Sequence, residues 1–321
     1  MTIVQALLAA TKQLSRAHIE NPQLEAEILL AHLLGKERIW FHLHPEFLLE
    51  DFVNEQYMAL VARRAMHEPT AYILEQREFW SLPFRVTRDT LIPRPETELI
   101  VEVALALVKR KKWRGPFILD LGTGSGILAI TLACEIPEAA LVATDRSFPA
   151  LIVAQQNAKR HGVKSRIDLV QADWINPFKS CETGMFPRKK GTAIANRGFH
   201  LIVSNPPYVA NKDKRLLAKE IFNHEPEGSL FSKKDGLEDI EKLIKTVPQV
   251  LRKEAWFICE IGWNQGKQAI QMTRDTGMYK CAEIRKDLSG KDRVLMAKRN
   301  CKHSQGTASA FVGHLKYREY V

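Results

Sequence analysis

The stretch with the most specific chemistry is Asn205-Pro206-Pro207-Tyr208. Asparagine brings a side-chain carbonyl oxygen, and the two prolines bring backbone carbonyls without their own N–H groups. Such a surface is rich in hydrogen-bond acceptors and poor in donors. It suits a planar NH2 group on an sp² carbon, with the Tyr208 ring available to stack on that plane. Chemistry on an amide or amino nitrogen is the implication. The plainer alternative is a proline turn that ends a core strand.

An element must deliver these residues. Leu201, Ile202 and Val203 form a short apolar run of the kind found in a fully buried strand, and the prolines stop it. In an open α/β sheet the carboxyl edge of such a strand is where ligands bind. Upstream, Phe117–Ile130 reads as strand, glycine turn and apolar helix, with Asp120 at the strand end and Gly122-Thr123-Gly124-Ser125-Gly126 in the turn. The spacing is Gly-x-Gly-x-Gly and no Lys-Ser/Thr follows, which excludes a P-loop. A pyrophosphate prefers bare helix N–H groups, whereas Asp120 suits a cationic ligand such as S-adenosylmethionine. A second strand ends at Asp145, where an acid can bind ribose hydroxyls. A third leads to Asp173 and Trp174, suited to an adenine amino group and ring. Each acid alone reads better as a strand-end cap than as a ligand; three in succession point to a nucleoside methyl-donor site.

The chain has 321 residues, 45% hydrophobic, with a formal charge of +10 and pI near 9.3. That charge permits a polyanionic partner without requiring one. The five cysteines are scattered with no Cys-x-x-Cys pair, as expected of reduced thiols. His42 and His44 have no neighbouring ligand pattern, so no metal is expected. No apolar run is long enough to span a membrane. Lys12 and Arg16 with no acid before Glu20 are reminiscent of a presequence, but the helical pattern continues into Glu25 and Glu27, favouring an integral first helix.

Residues 1–72 read as helices, with Val4, Leu7, Leu8, Ala10 and Leu14 on one apolar face and Leu24, Ile28, Leu29 and Leu33 on the next. Residues 73–95 read as a β-hairpin linker. Residues 96–299 hold the sheet, with a flexible basic surface insertion at 178–199 and a loose tail at 300–321.

Taken together, Glu68-Pro-Thr-Ala-Tyr72-Ile, Leu91-Ile-Pro-Arg-Pro-Glu-Thr-Glu98, Asp120 to Gly126, Asp173-Trp174, Asn205 to Tyr208, His224-Glu-Pro226 and Glu260-Ile-Gly262 resemble the protein-(glutamine-N5) methyltransferases that modify peptide chain release factors. The resemblance spans about residues 20–299. It implies a Rossmann-like class I methyltransferase domain, α/β with a seven-stranded mostly parallel sheet, behind a small N-terminal helical bundle that shapes substrate choice. It implies that the Gly122–Gly126 loop, Asp145, Trp174 and Asn205 contact S-adenosylmethionine, and that Asn205 to Tyr208 hold the glutamine of a Gly-Gly-Gln loop. A cytoplasmic monomer, needing neither membrane nor nucleic acid, is expected. Glu75 stands where the family usually has glycine, and His200 where it usually has aspartate. Asn-Pro-Pro-Tyr is shared with adenine-N6 methyltransferases, so an enzyme acting on DNA or RNA is the alternative; a non-catalytic donor-binding module is a third.

Overall fold

The computed structural model describes residues 1–176, 178 and 198–301. The N-terminal part comprises α1 (Ile3–Arg16), α2 (Pro22–Leu34), α3 (Arg38–Leu43), α4 (Asp51–Ala65) and the single turn α5 (Thr70–Ile73). Thr2 and Gln5 form a reciprocal cap on α1, Pro22 opens α2, and Gly35 at φ +60° closes it. The buried faces match the expected ones in part: Ala10, Leu14 and Leu29 are buried and Leu7 and Leu33 pack against the same core, but the stripes are rotated. Ile3, Ala6, Ala10 and Leu14 turn inward on α1, while Val4 and Leu8 are 42% and 66% exposed. On α2 the inward residues are Ala26, Glu27, Leu29 and Leu30, and Leu24 is exposed. Both stripes have helical spacing; the small alanines win because they let the helices approach closely.

The hairpin β1 (Gln76–Phe79) and β2 (Leu82–Arg85) turns through Trp80 and Ser81, both at positive φ, the backbone that matches strand twist in a two-residue turn. Phe79 and Phe84 meet edge to face and belong to the core beneath the large sheet, so the hairpin packs as part of that layer.

Next come α6 (Glu98–Lys111), β3 (Phe117–Leu121), α7 (Ile127–Glu135), β4 (Ala140–Asp145), α8 (Phe148–Arg160), β5 (Ile167–Gln171) and β6 (Phe199–Ser204). After β6 the chain makes β7 (Val209–Ala210), α9 (Lys219–His224), α10 (Glu227–Leu230), β8 (Phe231–Ser232) and the turn α11 (Lys233–Gly236). It closes with α12 (Glu238–Thr246), β9 (Leu251–Glu260), α13 (Gly266–Asp275), β10 (Tyr279–Lys286) and β11 (Asp292–Arg299).

Seven strands form one sheet in the order β10-β11-β9-β6-β3-β4-β5; only β11 runs against its neighbours. Helices α6, α7 and α8 cover one face and α12 and α13 the other, which is why β3 and β6 read as unbroken apolar runs. From β3 the chain winds outward through β4 and β5, then returns to place β6 on the other side of β3. This reversal opens a crevice at the carboxyl edge between β3 and β6.

The expected surface insertion begins and ends in the core. Phe178 and Phe199 are buried and meet edge to face, and Phe199 opens β6. Residues 179–197, and the tail from 302 onward, lie outside the described residues. Among the described residues no helix is long and apolar enough to cross a membrane. Arg64 of α4, almost fully buried, ties the N-terminal helices to the region after β6, donating to Glu220 of α9 at 2.6 Å and to Glu25 at 3.3 Å.

Candidate active site

Register puts the expected residues side by side. Leu121 of β3 pairs with Thr144 of β4 and with Ser204 of β6, so the next residues, Gly122, Asp145 and Asn205, sit on adjacent strand tips. A cavity of about 400 Å³ opens there, lined by Gly122, Thr123, Gly124, Ser125, Asp145, Asp173, Trp174, Asn205 and Pro207. The structure brings all nine together.

The glycine loop has the backbone that glycine permits: φ is +72° at Gly122, +55° at Gly124 and +89° at Gly126. The N–H groups of Gly122 and Thr123 both donate to the Thr144 carbonyl, pinning the loop to β4. A Cβ at Gly126 would lie 2.7 Å from the Ile130 side chain, so this glycine serves packing. A Cβ at Gly122 would press on the Trp174 ring, whereas one at Gly124 would meet no protein atom within 4 Å. Gly124 thus leaves its space open on the cavity side.

Asp145 accepts from the Gly124 N–H through Oδ2 (2.9 Å) and from the Ser147 N–H through Oδ1 (2.8 Å). Each oxygen keeps a lone pair, enough for a pair of ribose hydroxyls. Trp174 is half-buried against Gly122. Asp173 is engaged on one oxygen, Oδ2, by Lys242 Nζ at 2.8 Å. An aromatic plate, two carboxylates and an unobstructed glycine backbone together fit S-adenosylmethionine.

Four expected residues do not line the cavity: Asp120, Gly126, Pro206 and Tyr208. Asp120 is the main correction. It is fully buried behind the loop, where Oδ2 accepts from the Thr123 hydroxyl (2.6 Å) and the Ala129 N–H (3.1 Å). It therefore braces the glycine turn on α7 rather than facing a ligand. Burial drives its carboxyl up to about 7, against the lowering effect of those two hydrogen bonds. Its other oxygen has no hydrogen-bond partner.

Tyr208 is the second correction. Its ring packs against the core between the sheet and α12 and α13, and its hydroxyl donates to Glu260 Oε1 at 3.0 Å, so it anchors the loop instead of offering a stacking face. Glu260 also accepts from the Thr97 hydroxyl (2.7 Å), and Thr97 Oγ1 accepts from Asn205 Nδ2 (3.1 Å). Burial raises the Glu260 carboxyl above the usual range, opposed by the bonds from Thr97 and Tyr208. Gln265 holds the far end of the loop, donating to the Tyr208 carbonyl at 3.0 Å while accepting from the Gly262 N–H.

Sequence reasoning gave no role to Thr97, Glu260, Gln265, Arg94, Arg146 or Lys242. Arg94, Thr97 and Glu260 lie within recognisable motifs, which is a usable signal; Arg146 and Lys242 carry none. Arg94 lines the cavity and donates to buried Glu225 at 2.6 Å, and Arg146 donates to the Gly228 carbonyl at 2.8 Å.

Residues 5–74 match the family described as PrmC N-terminal domain, and residues 101–236 match the Methyltransferase small domain. The chain is 39% identical to the release factor glutamine methyltransferase of Buchnera aphidicola, over 92% of this chain and 98% of that one. It is 37% identical to the protein of the same name from Vibrio cholerae, over 92% and 96%. A bifunctional methyltransferase of Rickettsia conorii is 35% identical over 92% of this chain, which spans 57% of that relative's length. Among solved structures, the hMettl16 catalytic domain bound to a MAT2A 3′UTR hairpin superposes with a TM-score of 0.52 at 14% identity, covering 84% of this chain and 90% of that one. That likeness concerns the fold alone. Two family matches in the right order and relatives of this identity over nearly the whole length decide the assignment: the chain belongs to the release factor glutamine methyltransferase family.

Proposed function

We propose that this chain transfers a methyl group from S-adenosylmethionine to the side-chain amide nitrogen of the glutamine in the Gly-Gly-Gln loop of peptide chain release factors, and so serves translation termination in the cytoplasm. The observation that carries the reading is Asn205: a carboxamide anchored through its nitrogen beside a donor-shaped cavity, leaving its oxygen to accept.

When bound, S-adenosylmethionine supplies an electrophilic methyl carbon. Gly122 to Ser125, Asp145, Asp173 and Trp174 are the residues that would hold it. A glutamine amide is a poor nucleophile because its nitrogen lone pair is delocalised into the carbonyl. Asn205 Oδ1 accepts one of its N–H bonds, which orients the nitrogen and stabilises the positive charge that develops on it. Positioning of this kind supplies up to about 7–11 kcal/mol in favourable cases. Among the described residues, no histidine or lysine stands in the Asn205 to Tyr208 loop as a base, so the proton leaves to water after transfer. Residues 1–72 serve as the substrate-recognition unit, held to the catalytic part through Arg64.

The test is methylation of purified release factor with labelled donor, read by mass spectrometry of the Gly-Gly-Gln peptide. One added methyl on that glutamine, absent with Asn205→Ala although donor binding persists, is the expected result. Label entering DNA or RNA but not release factor would overturn the reading and favour the nucleic-acid alternative.

A further inference from the structure

The bonds from Tyr208, Thr97 and Asn205 around Glu260 have only one consistent polarity. In its ionised form, which the Arg293 charge and the two hydroxyls favour against burial, Glu260 accepts and does not donate. Both hydroxyls that reach Glu260, from Thr97 at 2.7 Å and Tyr208 at 3.0 Å, must therefore point their hydrogens at it. Thr97 has one hydrogen, and Glu260 takes it. Toward Asn205, 3.1 Å away, Thr97 presents only lone pairs, so the group facing it must be the Asn205 NH2. Thr97 and Glu260 are wholly buried, so water does not offer an alternative partner.

We infer that Glu260 is a positioning residue that acts through Thr97 to fix the orientation of the Asn205 carboxamide, keeping its oxygen turned to the substrate nitrogen. An asparagine amide is nearly symmetric in shape, and a flip would exchange an acceptor for a donor facing a donor. Sterics alone do not prevent that flip; a buried carboxylate two bonds away does. This deepens the proposed function and rests on it for its catalytic consequence.

Three variants test it. Glu260→Gln can donate to Thr97, which frees the Thr97 hydrogen for Asn205 Oδ1 and permits the flipped amide. Thr97→Val removes the link with little change of shape, and Thr97→Ser keeps the hydroxyl. Losing a group that stabilises transition-state charge typically lowers kcat by about 10²-fold. Glu260→Gln and Thr97→Val should fall by that order, with donor KM and melting temperature near the parent, while Thr97→Ser restores most of kcat. Equal kcat for Thr97→Val and parent, or equal loss for Ser and Val, would overturn the inference. A readout independent of turnover is the Asn205 side-chain NH2 resonance in ¹⁵N-labelled protein. Its hydrogen-bonded shift should be lost in Glu260→Gln and Thr97→Val and kept in Thr97→Ser; no change in any variant refutes the claim. If the parent fails to methylate release factor yet this resonance behaves as expected, the proposed function fails and the positioning role stands.

Discussion

Gly236 offers a sharp test of how the Asn205 to Tyr208 loop is held. It has φ +84°, and a Cβ there would lie 2.1 Å from the Tyr208 carbonyl oxygen and 2.8 Å from Gln265 Nε2. Real Cβ contacts essentially never fall below 3.0 Å, so Gly236→Ala must push the Tyr208 backbone away by at least 0.9 Å. The same push lengthens the Gln265–Tyr208 bond, now 3.0 Å. Displacing a positioned group by about 1 Å costs about 10²-fold in rate. Left-handed backbone at a non-glycine residue adds about 1–2 kcal/mol of destabilisation. Gly277→Ala separates the two effects, since Gly277 has φ +63° with nothing within 4 Å of its Cβ. Both variants should lose similar stability from backbone strain, with Gly236→Ala losing about 1–3 kcal/mol more from overpacking. Only Gly236→Ala should lose kcat, and donor KM should hold because the glycine loop is untouched. The assay is steady-state methylation of release factor alongside thermal melting. If the two alanine variants show the same kcat, the idea that Tyr208's carbonyl position governs the loop is wrong.

Gly124→Ala should weaken binding of S-adenosylhomocysteine by about tenfold or more, because its Cβ enters the cavity and overpacking costs about 1–3 kcal/mol; unchanged affinity by calorimetry would remove the loop from the donor site. Asp120→Asn should flatten the stability–pH profile. The folded carboxyl titrates near 7, raised mainly by burial from 3.8, so the folded state binds its proton more tightly than the unfolded chain. Stability from this group is full below about pH 4 and lost as pH rises through 7, by at most about 4 kcal/mol. Melting of the parent relative to Asp120→Asn should therefore worsen between pH 5 and pH 8, and parallel profiles would contradict the assignment. Glu75 holds φ +51° and an exposed pair with Arg85 at 2.7 Å. Glu75→Gly should relieve about 1–2 kcal/mol of strain and lose at most about 1 kcal/mol of ion pair, leaving stability equal or higher; a clear drop in melting temperature would show that the pair matters more.

Much of the catalytic edge was legible because it is local. The apolar runs of β3 and β6, the glycine turn and the acids after β4 and β5 are each short-range features, and parallel strands joined through helices bring their ends together. What stayed hidden depends on partners that sequence does not pair. Asp120 looked like a ligand because a strand-end acid beside glycines is all that sequence displays; that its oxygen reaches back to Ala129 needs the turn in three dimensions. Helix faces only partly read in α1 and α2 show a different limit, where two overlapping stripes obey the same period and close packing of alanines selects between them.

The circuit around Glu260 is the most instructive case, because its parts were all in view. Thr97 and Glu260 are 163 residues apart and Thr97 and Asn205 are 108 apart, each within a separately recognisable motif. A carboxylate buried without partners costs several kcal/mol, so Glu260 at the end of β9 is tolerable only if other elements deliver hydrogens to it. Thr97 arrives from the turn before α6, and Tyr208 from the loop after β6. Those two donors leave the Asn205 nitrogen as the group that fits the remaining lone pair. Three motifs that read as independent signals are thus one object, and the chemistry of the least mobile member, a charge with nowhere else to turn, sets which face Asn205 offers to its substrate.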